Sequence, residues 1–73
     1  MIPGKLYVSK KLVFHIWEDE SYGKHIGILN TDIPFIFIEF TTMENVRILT
    51  TDGTVGVIHS SYKNRDSFQE IKE

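Results

Sequence analysis

The chain alternates apolar and polar residues with a period of two between clusters of turn-forming residues, the pattern of half-buried β-strands. "KLYVSK" (5–10) and "KLVFHIW" (11–17) flank a Ser9-Lys10-Lys11 corner. In the second run Leu12, Phe14 and Ile16 share one face, and Val13, His15 and Trp17 share the other. "EDESYGK" (18–24) reads as a polar loop in which Gly23 is free to take a positive φ. "HIGILN" (25–30) is a short strand, and "TDIP" (31–34) is a turn whose Pro34 is tolerated only at a strand start or an edge. "FIFIEFTT" (35–42), "VRILTT" (46–51) and "TVGVIHS" (54–60) are further strands, joined by "MEN" and by Asp52-Gly53, a signal for a primed two-residue hairpin turn. The tail "DSFQEIKE" fits a helix capped by Ser67 and Glu70 or a closing strand; an isolated eight-residue helix is marginal in water, which favours the strand.

Five to six short antiparallel strands in 73 residues predict an all-β protein, a small and strongly bent barrel that leaves no flat sheet edge exposed. Residues 1–73 are expected to form one domain, since a chain this short can build only one core. Gly27 and Gly56 fall inside strand patterns and mark the barrel corners.

One segment breaks the alternation. In Phe35–Phe40, Ile36, Ile38 and Phe40 occupy one face while Phe35 and Phe37 occupy the other, so both faces call for burial. Only one can line the core of so small a barrel. The other must be covered by the tail, through Phe68 and Ile71, or by a second protein surface, which makes Phe35 and Phe37 candidate partner-binding residues.

Composition sharpens the β reading. There is no alanine, while Ile, Val, Thr and the nine aromatics make up about two-fifths of the chain, residues that suit a pleated surface. A chain rich in Ile and Lys and empty of Ala also suits an AT-rich genome, and a phage or bacterial origin. Without cysteine there is no disulfide, thiolate site or cysteine nucleophile. No stretch approaches the ~18 apolar residues of a membrane span, and the N-terminus lacks the apolar run of a signal peptide. The expected location is cytoplasmic, the host cytoplasm for a phage-encoded chain. A net charge of −2 gives no general attraction to nucleic acid or anionic membranes.

The stretch "LTTDGTVGVIHSSY" resembles the last hairpin of the Src-homology-3 family, where a G-x-x-G-x-I/F-P-S-N-Y pattern leads through a 3₁₀ turn to a groove tyrosine. Gly53 and Gly56 match the glycines, Ile58 the core aliphatic, His59 the proline, Ser60 the serine, Ser61 the asparagine and Tyr62 the tyrosine. "GKLYV" is similar to the family's opening A-L-Y-D-Y, with Tyr7 at the first tyrosine, and Glu18, Asp19 and Glu20 fall in the loop that carries acids for basic ligand residues. The resemblance implies a Src-homology-3-like barrel with a 3₁₀ turn near 60–62. It does not extend to polyproline capture, because Val46 and Arg47 stand where the family has its tryptophan pair and His59 stands at the groove proline. Such barrels host many functions.

For catalysis the sequence offers little. His15, His25 and His59 show neither i, i+2 strand spacing nor i, i+4 helix spacing, so they read as surface or satisfied histidines, and no metal or other cofactor is expected. Ser60, Ser61, His59 and Asp66 are sequence neighbours on a turn and lack a G-x-S-x-G elbow. A barrel of this size has little room for a small-molecule pocket. The expectation is a non-enzymatic protein-interaction or assembly module, binding a protein partner or itself. It would act through Phe35 and Phe37 or through a surface of Tyr7, Trp17, Tyr62 and the acidic Glu18, Asp19 and Glu20, where Trp17 can stack on a guanidinium. The alternative is a nucleic-acid-associated barrel of the ribosomal or transcription-factor kind, which would need Lys10, Lys11, Arg47, Lys63 and Arg65 on one face.

Overall fold

The computed structural model describes residues 1–59 and 66–72, with Tyr22 described by its backbone only. Seven strands are present: β1 (Leu6–Ser9), β2 (Phe14–Asp19), β3 (Tyr22–Leu29), β4 (Phe35–Phe40), β5 (Val46–Thr50), β6 (Val55–Ile58) and β7 (Phe68–Glu70). They form one antiparallel sheet in the order β3-β2-β6-β5-β4-β1-β7, with β3 and β7 at its edges. The expected five to six strands are thus seven, and the sheet does not close into a hydrogen-bonded barrel among the described residues.

The sheet is nevertheless strongly coiled. Phe14 on β2 and Phe68 on β7 are five strands apart in the sheet order, which in a flat sheet would separate them by about 24 Å. Their ring centroids lie 5.2 Å apart. The right-handed twist of β-strands makes such coiling natural, and the aromatic contact closes the concave side without a closing ladder.

The concave face carries the core: Tyr7, Phe14, Ile16, Leu29, Phe35, Phe37, Val46, Ile48 and Ile58. Strand alternation selects them, and the register aligns them across neighbouring strands, as in Val46 opposite Ile58 and Ile58 opposite Ile16. Phe68 reaches the same core from the tail, edge-on to Phe35 at 5.6 Å. The tail is therefore the closing strand rather than a helix, and it covers the Phe35 side of β4 within the same chain.

The double apolarity of β4 has a second cause, a bulge at Ile38. Phe37 pairs with Ile48 but Glu39 pairs with Arg47, so the strand loses one step of alternation between them. Phe40 then lies opposite the core residue Val46 and packs against Phe37 at 4.9 Å. Phe35, Phe37 and Phe40 accordingly share the concave side, which corrects the expected grouping of Phe40 with Ile36 and Ile38.

Three local expectations also change. The 11–17 run enters the sheet only at Phe14; Leu12 and Val13 are exposed in a corner held by the Ser9 hydroxyl donating to Leu12 O at 2.5 Å. The 18–24 loop is a hairpin with a Glu20-Ser21 turn, because the Asp19 carboxylate accepts from the Ser21 amide and hydroxyl and lets pairing continue to Asp19–Tyr22. The Asp52-Gly53 turn is a three-residue loop: Thr50 N donates to Thr54 O, Gly53 N donates to Thr50 O, and of these loop residues only Gly53 (φ 89°) is left-handed. The β4–β5 turn repeats that geometry with Thr41, Glu44 and Asn45, and there Glu44 takes the left-handed position (φ 62°) that glycine holds in the other. In both turns a threonine hydroxyl, of Thr41 or Thr50, accepts from the amide four residues on at 3.1 Å. The 3₁₀ turn expected near 60–62 lies outside the described residues.

Candidate functional site

Of the sequence-derived candidates, Phe35 and Phe37 are 0% and 1% exposed. A partner cannot touch them, so they are corrected from docking residues to core residues. The reason is register, since strand alternation alone left open which face of β4 turned inward. Tyr7 is corrected in the same way. It is buried, stacks near Phe35 and Phe37 at 6.2 and 6.4 Å, and its phenol oxygen accepts from the Ile2 amide at 2.6 Å.

Trp17 lies on the opposite, convex side of the sheet from Tyr7. It pairs with Val57 of β6 and His25 of β3, both one step out of phase with the core positions Ile58 and Ile16. The Tyr7–Trp17 part of the proposed groove is therefore not assembled, and Tyr62 lies outside the described residues.

The acidic run is divided by its turn. Glu18 is exposed, whereas Asp19 builds the β2–β3 turn. The Glu20 carboxylate accepts from Thr42 Oγ1 at 2.6 Å and from the Met43 amide at 3.1 Å, and the Glu20 carbonyl meets His59 Nε2 at 2.9 Å. Glu20 thus ties the β2–β3 turn to the β4–β5 turn rather than waiting for a basic ligand.

Hydrogen bonds from the Thr41 and Thr42 hydroxyls and the Met43 amide hold the Glu20 carboxyl below its ordinary 4.5. The Thr50 and Thr54 hydroxyls, with the Thr54 amide, do the same for Asp52, below its ordinary 3.8. Because both are depressed in the folded state, their stabilisation is present above the unfolded values and is lost as pH falls through the folded ones. The thermal midpoint is therefore expected to be flat at neutrality and to decline once pH drops below about 4.5. Glu20→Gln should remove part of that decline in a series of melting curves, and an identical acid profile in the variant would contradict the assignment.

Two of the basic residues named for a nucleic-acid face are engaged by acids: Lys10 with Asp32 at 2.8 Å and Arg47 with Glu39 at 3.1 Å. Lys63 and Arg65 lie outside the described residues. Among the described residues no group of three or more metal-ligating side chains gathers, and no helix is long and apolar enough to cross a membrane. One correction concerns the histidines. His15 and His25 are paired across β2 and β3, Nδ1 to Nε2 at 2.9 Å, because β3 carries an extra residue, Ile26, that brings His25 opposite Trp17.

The convex face holds a feature that strand-by-strand reading missed. Leu6 lies opposite Ile36, Ile36 opposite Leu49, and Leu49 opposite Val55, so four aliphatic side chains from β1, β4, β5 and β6 stand in one row facing away from the core. Three are half-buried, and Val55 is 49% exposed. The row spans about 14 Å at the spacing of neighbouring strands. The adjacent row is Glu39, Arg47, Val57, Trp17 and His25, in which an ion pair and two ring systems flank one aliphatic. Of the four, the sequence marked only Ile36, in the doubly apolar β4, and the cross-strand register is what joins them.

Elsewhere among the described residues two open grooves are present, one of about 230 Å³ between β3 with Ile33 and the Thr50–Thr54 loop, and one of about 400 Å³ between Gly4–Leu6 and Glu70–Lys72; only the second exceeds the ~300 Å³ at which small-ligand pockets usually begin. Comparison with protein-family models, with curated proteins and with solved structures finds no match to this chain.

Proposed function

We propose that the chain is a non-enzymatic protein-interaction or assembly module whose docking surface is the convex row Leu6, Ile36, Leu49 and Val55. The observation that carries this reading is the register: four aliphatics in direct opposition on four adjacent strands, where a solvated sheet face would alternate to polar residues. A second apolar sheet face, from another copy or from a partner subunit, could pack there about 10 Å away. The row replaces Phe35 and Phe37 as the interaction surface on β4.

A Src-homology-3-like reading of the fold draws support from the β4-β5-β6 meander, whose last hairpin contains Gly53 and Gly56, and from the closing β7 on β1. A peptide groove built on Tyr7 does not, because that ring is in the core. Binding to nucleic acid draws less support still, with Lys10 and Arg47 already engaged by acids.

Ile36→Thr with Leu49→Thr tests the proposal, since threonine keeps strand propensity while making the face polar. Light scattering over a concentration series should show wild-type self-association that the double variant loses while its unfolding transition stays cooperative. A wild type that is monomeric throughout, with solubility identical in the variant, would overturn it.

A further inference from the structure

The His15–His25 pair takes no part in the core, in the turns or in the aliphatic row. Both side chains are exposed on the convex face, with ring centroids 5.0 Å apart and Nδ1 of His15 2.9 Å from Nε2 of His25. One imidazole donates to the other, so a single proton separates two nitrogen lone pairs aimed into the same small volume. A cation that replaces this proton would find both nitrogens within reach of one ion.

Two imidazole nitrogens about 2.05 Å from a common ion, at about 90° to each other, stand about 2.9 Å apart, whereas a tetrahedral angle would require about 3.3 Å. The observed 2.9 Å is that of an ordinary hydrogen bond between the rings, and both chelating separations lie within a few tenths of an ångström of it. Such an ion sits off the line joining the nitrogens, so each exposed ring turns to aim its lone pair at it when the hydrogen bond is given up. Register supplies the preorganisation: Trp17 lies opposite His25, and the extra residue in β3 brings His25 diagonal to His15 on one face.

We infer that His15 and His25 form a two-imidazole site for a tetragonal divalent ion, Cu²⁺ above Ni²⁺ and Zn²⁺, on the convex face of the β2–β3 hairpin. Water completes the coordination, since among the described residues no third His, Cys, Asp or Glu joins them. Copper takes the site ahead of the others by the general affinity order of nitrogen ligands.

The molecule carries its own reporter. Trp17 is the single tryptophan of the chain, and its ring centroid is 5.0 Å from that of His25, edge to face. Aqueous Cu²⁺ titrated into the full chain should quench Trp17 emission saturably at one ion per chain, and a chelator should restore it. His15→Gln and His25→Gln should each abolish the saturable phase while leaving the circular dichroism of the strands unchanged. His59→Gln should retain it, because the His59 ring lies instead against the Glu20 carbonyl. Electron paramagnetic resonance should show two nitrogens on a tetragonal centre in the wild type and one or none in the single variants. Saturable quenching that survives in the His15→Gln, His25→Gln double variant, that disappears in His59→Gln, or that Zn²⁺ produces at lower concentration than Cu²⁺ would overturn the inference.

Discussion

Phe35→Ala is expected to be the most destabilising single substitution in the core, lowering the stability of the fold by about 3–5 kcal/mol. Phe35 is fully buried, and its ring meets both Tyr7 at 6.2 Å and Phe68 at 5.6 Å. Truncating a buried phenylalanine costs about 3–5 kcal/mol through lost transfer energy and the cavity left behind. A domain of this length has a total stability of about 4–11 kcal/mol, so this one change removes a large share of it. The loss is also topological. Phe68 is the tail's aromatic contact with Phe14 and Phe35, and removing Phe35 deprives β7, an edge strand of only three residues, of half of that anchor. Amide hydrogen exchange under native conditions should therefore show β7 and β1 losing protection first in the milder Phe35→Leu variant. Urea unfolding that places Phe35→Ala within 1 kcal/mol of wild type, on the order of a conservative core swap, would remove Phe35 from the centre of the core.

The second large effect is expected at Gly56, which looks innocuous in sequence. Strand glycines are ordinarily improved by alanine, by about 0.5–1 kcal/mol. Here the sign reverses. A Cβ at Gly56 would stand 2.3 Å from Ile16 Cγ2 and 3.1 Å from the Trp17 carbonyl oxygen. Ile16 cannot swing clear, because it is itself buried and held in the β2–β6 ladder opposite Ile58. Gly56→Ala should thus cost about 1–3 kcal/mol as overpacking between β2 and β6. Combining it with Ile16→Leu, which lacks the offending Cγ2, should return part of the loss, and a double-mutant cycle measures the coupling. Simple additivity of the two changes, or a stabilised Gly56→Ala, would show that the close approach of Ile16 is not what requires glycine there.

Gly56 also illustrates how far the sequence alone can be read. Its presence inside a strand pattern pointed to a barrel corner, and what the structure shows at Gly56 is the close approach of Ile16. The identity of the approaching strand was not legible, because β2 and β6 are separated by three intervening strands along the chain and paired only in space. The same limit explains Tyr7 and Trp17. Both are aromatic residues in alternating runs, yet one is in the core and the other on the convex face, since alternation reports that two faces exist without saying which turns inward. At Phe40 even the parity was hidden: the bulge at Ile38 adds one residue to β4 and carries Phe40 to the Phe37 side, and no residue type in "FIFIEF" announces it.

The local physics was carried by the residues themselves. β-branched and aromatic side chains in runs of strand length, interrupted by Gly, Asp, Asn and Pro, determined an all-β antiparallel protein, while for the tail the weakness of an isolated eight-residue helix only favoured a strand over the capped helix that the residues also fit. These depend on neighbours a few positions away, which a sequence displays directly. Tertiary structure alone decided which face of each strand is core, how Glu20 is spent in joining two turns, and which residues on different strands meet. The aliphatic row Leu6, Ile36, Leu49 and Val55 and the imidazole pair His15 and His25 both arise from cross-strand register. Register is set by the combined packing of the whole sheet, and a one-residue slip would dissolve the row and separate the pair.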